Sequence, residues 1–132
     1  MSAAENKQIV SKMFAELSKG NSAAFLDALA DDVKFTLQGT TKFSGTFNGK
    51  QELAAKLFGP LTEALEQMIV LTPYNVIADG DYVVMQTHGK AVTKSGKPYN
   101  NSYCQIFRFV GGKVKEVTEY LDTALVEDTF GK

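Results

Sequence analysis

The sequence predicts an α+β domain, with N-terminal helices laid on one face of a strongly curved antiparallel or mixed sheet. Three observations lead there. Apolar residues recur at helical spacing near the N-terminus, strict alternation takes over in the second half, and the alternating runs are joined by short turns rich in Gly, Asp and Ser. With 132 residues, 44% of them hydrophobic, and no repeat or linker, residues 1–132 read as a single domain with room for a core and a small pocket.

From about Asn6 to Ser18, residues Ile9, Val10, Met13, Phe14 and Leu17 share a helical face, and Gly20-Asn21 supplies the stop. Ser22 is the expected N-cap of a shorter helix carrying Phe25, Leu26 and Leu29, which ends near Asp31-Asp32. Adjacent residues point in different directions, so this acidic pair reads as a solvated helix-to-strand turn and not as a catalytic pair. Val33, Phe35 and Leu37 then alternate with Lys34, Thr36 and Gln38, giving a first strand with an apolar inner face. Gly39, Gly45 and Gly49 punctuate a short arm over Lys42 to Phe47, without the spacing of a phosphate loop or a dinucleotide fingerprint. Lys50 to Phe58 predicts a third helix, broken by Gly59-Pro60 before a short continuation through Leu61 and Leu65. Met68 to Ala78 and Tyr82 to Thr93 are strands around an Asp79-Gly80-Asp81 turn. The second of these sets Val83, Met85, Thr87, Gly89 and Ala91 on one face and Gln86, His88 and Lys90 on the other. Thr123 to Lys132 reads as a tail anchored by Phe130.

The stretch from Tyr99 to Asp122 organises the rest. It is two β-rich runs around Gly111-Gly112, a long hairpin. A two-residue loop would set odd residues opposite even ones. A three-residue loop, with Gly112 in the left-handed position of a bulge, keeps odd with odd, so that Phe107, Phe109, Val117 and Leu121 share a surface and Arg108 meets Glu116 on the other. We take the second, which leaves Gln105 and Glu119 facing inward from neighbouring strands.

Charge narrows the function. Fourteen basic against 15 acidic residues, with no basic run, support neither a nucleic-acid nor an anionic-membrane surface. The expected partners are a small molecule and a second copy of the chain. One cysteine, Cys104, and a start without an apolar signal-peptide core point to a cytoplasmic protein. Cys104 has no visible base and reads as packing. His88, the sole histidine, falls by parity on the outer or subunit face, and without a second soft ligand beside it no metal site is expected. No cofactor is expected either.

The strings Ala-Asp-Asp-Val-Lys-Phe-Thr-Leu-Gln-Gly, Phe-Ser-Gly-Thr-Phe-Asn-Gly-Lys and Phe-Arg-Phe-Val-Gly-Gly-Lys-Val-Lys-Glu are similar to the first strand, Gly-rich arm and last hairpin of SnoaL-like proteins. The ending Glu119-Tyr120-Leu121-Asp122-Thr123 resembles bacterial ketosteroid isomerase-related proteins. The resemblance spans nearly the whole chain and implies the cone-shaped nuclear transport factor 2-like (cystatin-like) fold, often dimeric, with a hydrophobic pocket for a small apolar, aromatic or polyketide-like molecule. It does not imply steroid isomerisation. Where those isomerases carry a carboxylate base on the first strand this chain has Leu37, and where they carry a helical tyrosine it has Met13. Their acidic donor aligns with Gln105. The SnoaL-like cyclases resemble this chain in placing a polar residue near Gln105 and an acid where Glu119 stands.

The candidate catalytic set is therefore Glu119 as general acid/base, Gln105 as the group orienting a substrate oxygen, and Asp122 as a second acid, for which a cap or rim ion pair is the competing explanation. An inward glutamate beside Phe107 and Leu121 should have a raised pKa. Met13, Phe35, Leu37, Asn101, Tyr103, Phe107 and Leu121 are the candidate ligand-binding residues. An isomerase, cyclase or lyase is one reading, and a non-catalytic dimeric binding domain is the other.

Overall fold

A computed structural model describes residues 1–132. Ser2 opens helix α1 (Ala3–Ser18) with a capping box, its side chain accepting from the Glu5 N–H while the Glu5 carboxylate accepts from the Ser2 N–H. The helix thus begins three residues earlier than periodicity suggests, because caps and not apolar residues set the end. Helix α2 (Ser22–Asp27) is capped by Asn21, whose Oδ1 accepts from Ala24 N–H at 3.3 Å, so Ser22 is its first residue and not its cap. Strand β1 (Leu29–Leu37) follows almost at once and takes in Asp31 and Asp32 at an irregularity of its ladder. Both are exposed and face lysines, Asp31 facing Lys50 and Asp32 facing Lys115, so they belong to the strand and not to a turn.

Strand β2 (Gly45–Asn48) pairs with β1, and then comes a helical segment. Its parts are α3 (Lys50–Leu53), a π-helical stretch over Ala54–Phe58, and α4 (Gly59–Ala64). Gly59-Pro60 was expected to break the helix. Instead Pro60 sits in the first turn of α4, where a missing N–H costs nothing, and the widened π turn carries the chain through. Strands β3 (Val70–Asp79), β4 (Tyr82–Lys90), β5 (Ser102–Val110) and β6 (Lys113–Leu121) complete one six-stranded sheet in the order β2-β1-β6-β5-β4-β3. All neighbours are antiparallel except β1 and β6, which run parallel, so the sheet is mixed. Beyond Lys90 the chain leaves β4, and Val92 and Thr93 bridge to Pro98 and Leu65.

The hairpin has the predicted register by a different route. Phe107 faces Val117 and Gln105 faces Glu119, odd with odd, and Arg108 faces Glu116, even with even. The loop is nonetheless the two-residue Gly111-Gly112, both with positive φ (57° and 81°) as a type I′ turn requires. Parity is restored by a bulge, since Arg108 pairs with Glu116 while Phe109 pairs with Val114, and Lys115 is the extra residue. A second bulge sits at Tyr74 of β3, between Pro73 and Asn75. Bulges bend a strand and raise its twist, so these irregularities curl the sheet into a cone.

The helices close the concave side, with α1 packed against β3 and β4. Phe14 of α1 meets Phe25 edge-on at 5.7 Å and Phe107 at 5.8 Å, joining the helices to the floor of the sheet. The segment expected to be a tail is helix α5 (Thr123–Phe130). Val126 is buried and Phe130 lies edge-on to Phe43 and Tyr99, which covers the end of the cone. No helix is long and apolar enough to cross a membrane.

Candidate active site

Between the concave face and the helices lies a cavity of about 300 Å³, with 21 of its 25 lining residues hydrophobic. That size and apolar character suit one small organic molecule. Phe14, Phe25, Phe35 and Phe58 form much of its wall, and Ser22 and Thr62 stand at its exposed mouth. Its floor is the β5–β6 ladder, where Tyr103, Gln105 and Phe107 face Leu121, Glu119 and Val117. No Lys, Arg or His lines it.

Glu119 and Gln105 are direct cross-strand partners, and Gln105 Nε2 donates to Glu119 Oε1 at 2.9 Å. The amide is oriented from behind. Thr87 of β4 is fully buried, and its hydroxyl donates to Gln105 Oε1 at 3.3 Å, which turns the nitrogen toward the carboxylate. Glu119 Oε2 has no hydrogen bond and opens onto the cavity. Glu119 is half-buried, and the cavity is what it lines. Burial pushes its pKa up to about 7, against the smaller opposing effect of the Gln105 amide, which favours the charged form. The site therefore holds one titratable carboxyl near neutrality, with one oxygen held and one free.

This geometry changes the expected part of Gln105. Its oxygen is occupied by Thr87 and its nitrogen by Glu119, so it holds the acid in place. Thr87 went unrecognised as a site residue, although its inward parity on the strand beside Gln105 was the available signal. Tyr103 lines the cavity, but its hydroxyl is sealed from solvent and makes no hydrogen bond. The neighbouring Tyr99 hydroxyl acts on it electrostatically without the alignment of a bond, and accepts from Asn101 Nδ2 at 3.0 Å. Burial pushes both phenols upward, so both stay protonated. The Tyr103 ring needs Gly89 opposite it, since a Cβ there would come within 2.6 Å of Tyr103 Cε1.

Phe35, Leu37, Phe107 and Leu121 line the cavity, whereas three other candidates do not. Met13 is buried among core side chains, one helical position out of phase, and Phe14 and Leu17 face the cavity instead. Asn101 ties the strand ends together: its Nδ2 donates to the Asp122 carbonyl at 3.1 Å, and its Oδ1 accepts from the Ser102 and Asp122 N–H groups at 2.8 and 3.1 Å. Asp122 is the N-cap of α5, with Oδ1 accepting from Ala124 and Leu125 N–H at 3.0 and 3.2 Å. It lies outside the cavity, so a catalytic part for it is dropped in favour of the capping one. On the convex face, His88 stacks on Tyr74 with ring centroids 4.2 Å apart, and Cys104 is half-buried.

The sequence profile of the SnoaL-like domain matches residues 10–117. An uncharacterized protein of Mycobacterium tuberculosis is 24% identical over 120 residues, covering 90% of this chain and 91% of its own. An NTF2-like protein of unknown function from Burkholderia pseudomallei superposes with a TM-score of 0.86 at 21% identity, over 100% of both chains. TerC, crystallised with polyporic acid, superposes with a TM-score of 0.84 at 17% identity, over 97% of this chain and 99% of its own. At these identities the structural neighbours speak for the fold. The profile match runs from within α1 to within β6, over most of the chain, and on it the chain belongs to the SnoaL-like family, with the fold of NTF2-like proteins.

Proposed function

We propose that this protein is a small-molecule enzyme of the isomerase, cyclase or lyase kind, with Glu119 as its general acid/base. The observation that carries the reading is a carboxyl with one oxygen held and one unbonded in an otherwise apolar cavity, its pKa pushed up to about 7 by burial. A group poised at the working pH can both take and return a proton, and Gln105, backed by Thr87, keeps it aimed. Steroid isomerisation is not part of the proposal, since Leu37, which lines the cavity, stands where the isomerases this chain resembles carry their carboxylate base. The crystallisation of TerC with polyporic acid supports a small-molecule ligand for a cone of this shape.

The test uses 2-tetralone, a compact ketone with acidic α-protons, in D2O. The protein should speed exchange of those protons over buffer, and Glu119→Gln should remove at least about a hundredfold of that acceleration while remaining folded. Full exchange activity in Glu119→Gln would make the carboxylate structural and leave the second reading, a binding domain. One observation favours that alternative: with Gln105 engaged and the Tyr103 hydroxyl sealed, no donor besides Glu119 itself is free to hold an enolate oxygen.

The proposal includes a homodimer through the convex face. Ile77, Tyr82, Val110 and Tyr120 are about half exposed there, beside half-buried Val84 and Ile106, which is too apolar for a sheet left in water. Sedimentation at micromolar concentration should give a dimer, and Ile106→Lys a monomer. A wild-type monomer would refute it.

A further inference from the structure

We infer that the cavity selects uncharged, largely apolar molecules with one terminal oxygen, and that Glu119 Oε2 binds this oxygen through a hydrogen bond whose direction reverses with the state of the carboxyl. The inference rests on Glu119 being the acid of the cavity, as proposed above, and does not require turnover.

Glu119 Oε1 is taken by Gln105, whose own oxygen is taken by Thr87. The Tyr99 hydroxyl is taken by Asn101, and that of Tyr103 is sealed. Ser22 and Thr62 sit at the exposed mouth, where water competes. Glu119 Oε2 is then the one polar contact on the floor.

Ligand charge follows. A carboxylate or phosphate entering here would shed its water against a carboxyl group with no cation to receive it. An ammonium could pair with an ionised Glu119, but two of its three N–H donors would face the apolar wall, and shedding their water costs more than the one pair returns. An uncharged molecule with a single oxygen leaves nothing unpaired.

The direction of that bond depends on one proton. A protonated Glu119 donates to a carbonyl oxygen, and an ionised one can only accept, from an alcohol or phenol. The remaining ionisable groups at the cavity are Tyr99 and Tyr103, both neutral, and α1, α2, α4 and β1 bring no charged side chain to it. Titration of the site near neutrality is then titration of Glu119, with a midpoint at about 7.

The test is a binding titration of 2-tetralone, 2-naphthol, 2-naphthoate and 2-aminotetralin, molecules of one shape that differ in the polar group. Between pH 6 and 8 the Kd of 2-tetralone should rise about tenfold, the ratio expected for binding to the protonated form alone with a midpoint at 7. That of 2-naphthol should not rise over the same interval. Glu119→Gln, whose amide can donate at any pH, should bind 2-tetralone with no pH dependence. A flat wild-type titration overturns the inference, as does the same rise of Kd in Glu119→Gln, tighter binding of 2-naphthoate or 2-aminotetralin than of 2-tetralone, or no saturable binding of 2-tetralone at pH 6. A flat titration beside Glu119-dependent proton exchange removes this inference only, and exchange that survives Glu119→Gln removes the enzymatic reading only.

Discussion

Glu119 should make the folded protein less stable as pH rises, and Glu119→Gln should remove that loss. The carboxyl titrates near 4.5 when unfolded and at about 7 when folded. Below 4.5 it is protonated in both states and contributes no difference. Between 4.5 and 7 the unfolded chain releases the proton while the folded one keeps it, so the folded state binds more protons and stability falls with pH. Above 7 the loss is complete. A difference of about 2.5 pH units at about 1.4 kcal/mol each corresponds to about 3 kcal/mol, a large share of a small domain's stability. Urea unfolding of wild type and Glu119→Gln at intervals from pH 4 to 8 measures it. The two curves should meet near pH 4 and diverge to about 3 kcal/mol in favour of the variant by pH 8. The opposite trend of Glu5, Asp32 and Glu52, whose hydrogen bonds hold them below the usual carboxylate range, is common to both proteins and cancels in the difference. Parallel curves, or a variant less stable than wild type at pH 8, would refute the claim that burial without a cation dominates this carboxyl.

Gln105→Leu removes the one group that lowers the Glu119 pKa, so the Glu119 carboxyl carbon, followed by NMR, should titrate above its wild-type midpoint. Gly89→Ala drives a methyl into the Tyr103 ring and should cost about 1–3 kcal/mol in urea unfolding, with little recovery because Asn101 O blocks retreat at 3.3 Å. Asp122→Ala leaves two N–H groups of α5 uncapped and should cost about 1 kcal/mol without changing proton exchange of 2-tetralone. A fall in exchange with unchanged stability would return Asp122 to the site.

The inward-facing pair of Gln105 and Glu119 was legible in the sequence because β-strand parity is local. Once Phe107, Val117 and Leu121 demand a common face, the polar residues between them must share it, whatever the loop does. The loop itself was not legible. A two-residue Gly-Gly turn with a bulge at Lys115 and a three-residue turn yield the same register, and a bulge is decided by contacts along the whole ladder. Helix phase at the cavity was lost in the same way: Met13 and Phe14 both lie on the apolar stripe of α1, and the tilt of the helix on β3 and β4 selects Phe14 for the cavity. Asp122 and Asn101 took on capping and strand-tying duties because α5 folds back over the cone, and those duties exist only once the helix is docked. The sequence alone determined which acid faces inward. That this acid keeps one oxygen free and holds its proton near neutrality is a product of tertiary structure, because desolvation and the absence of a nearby cation depend on every element that closes around it.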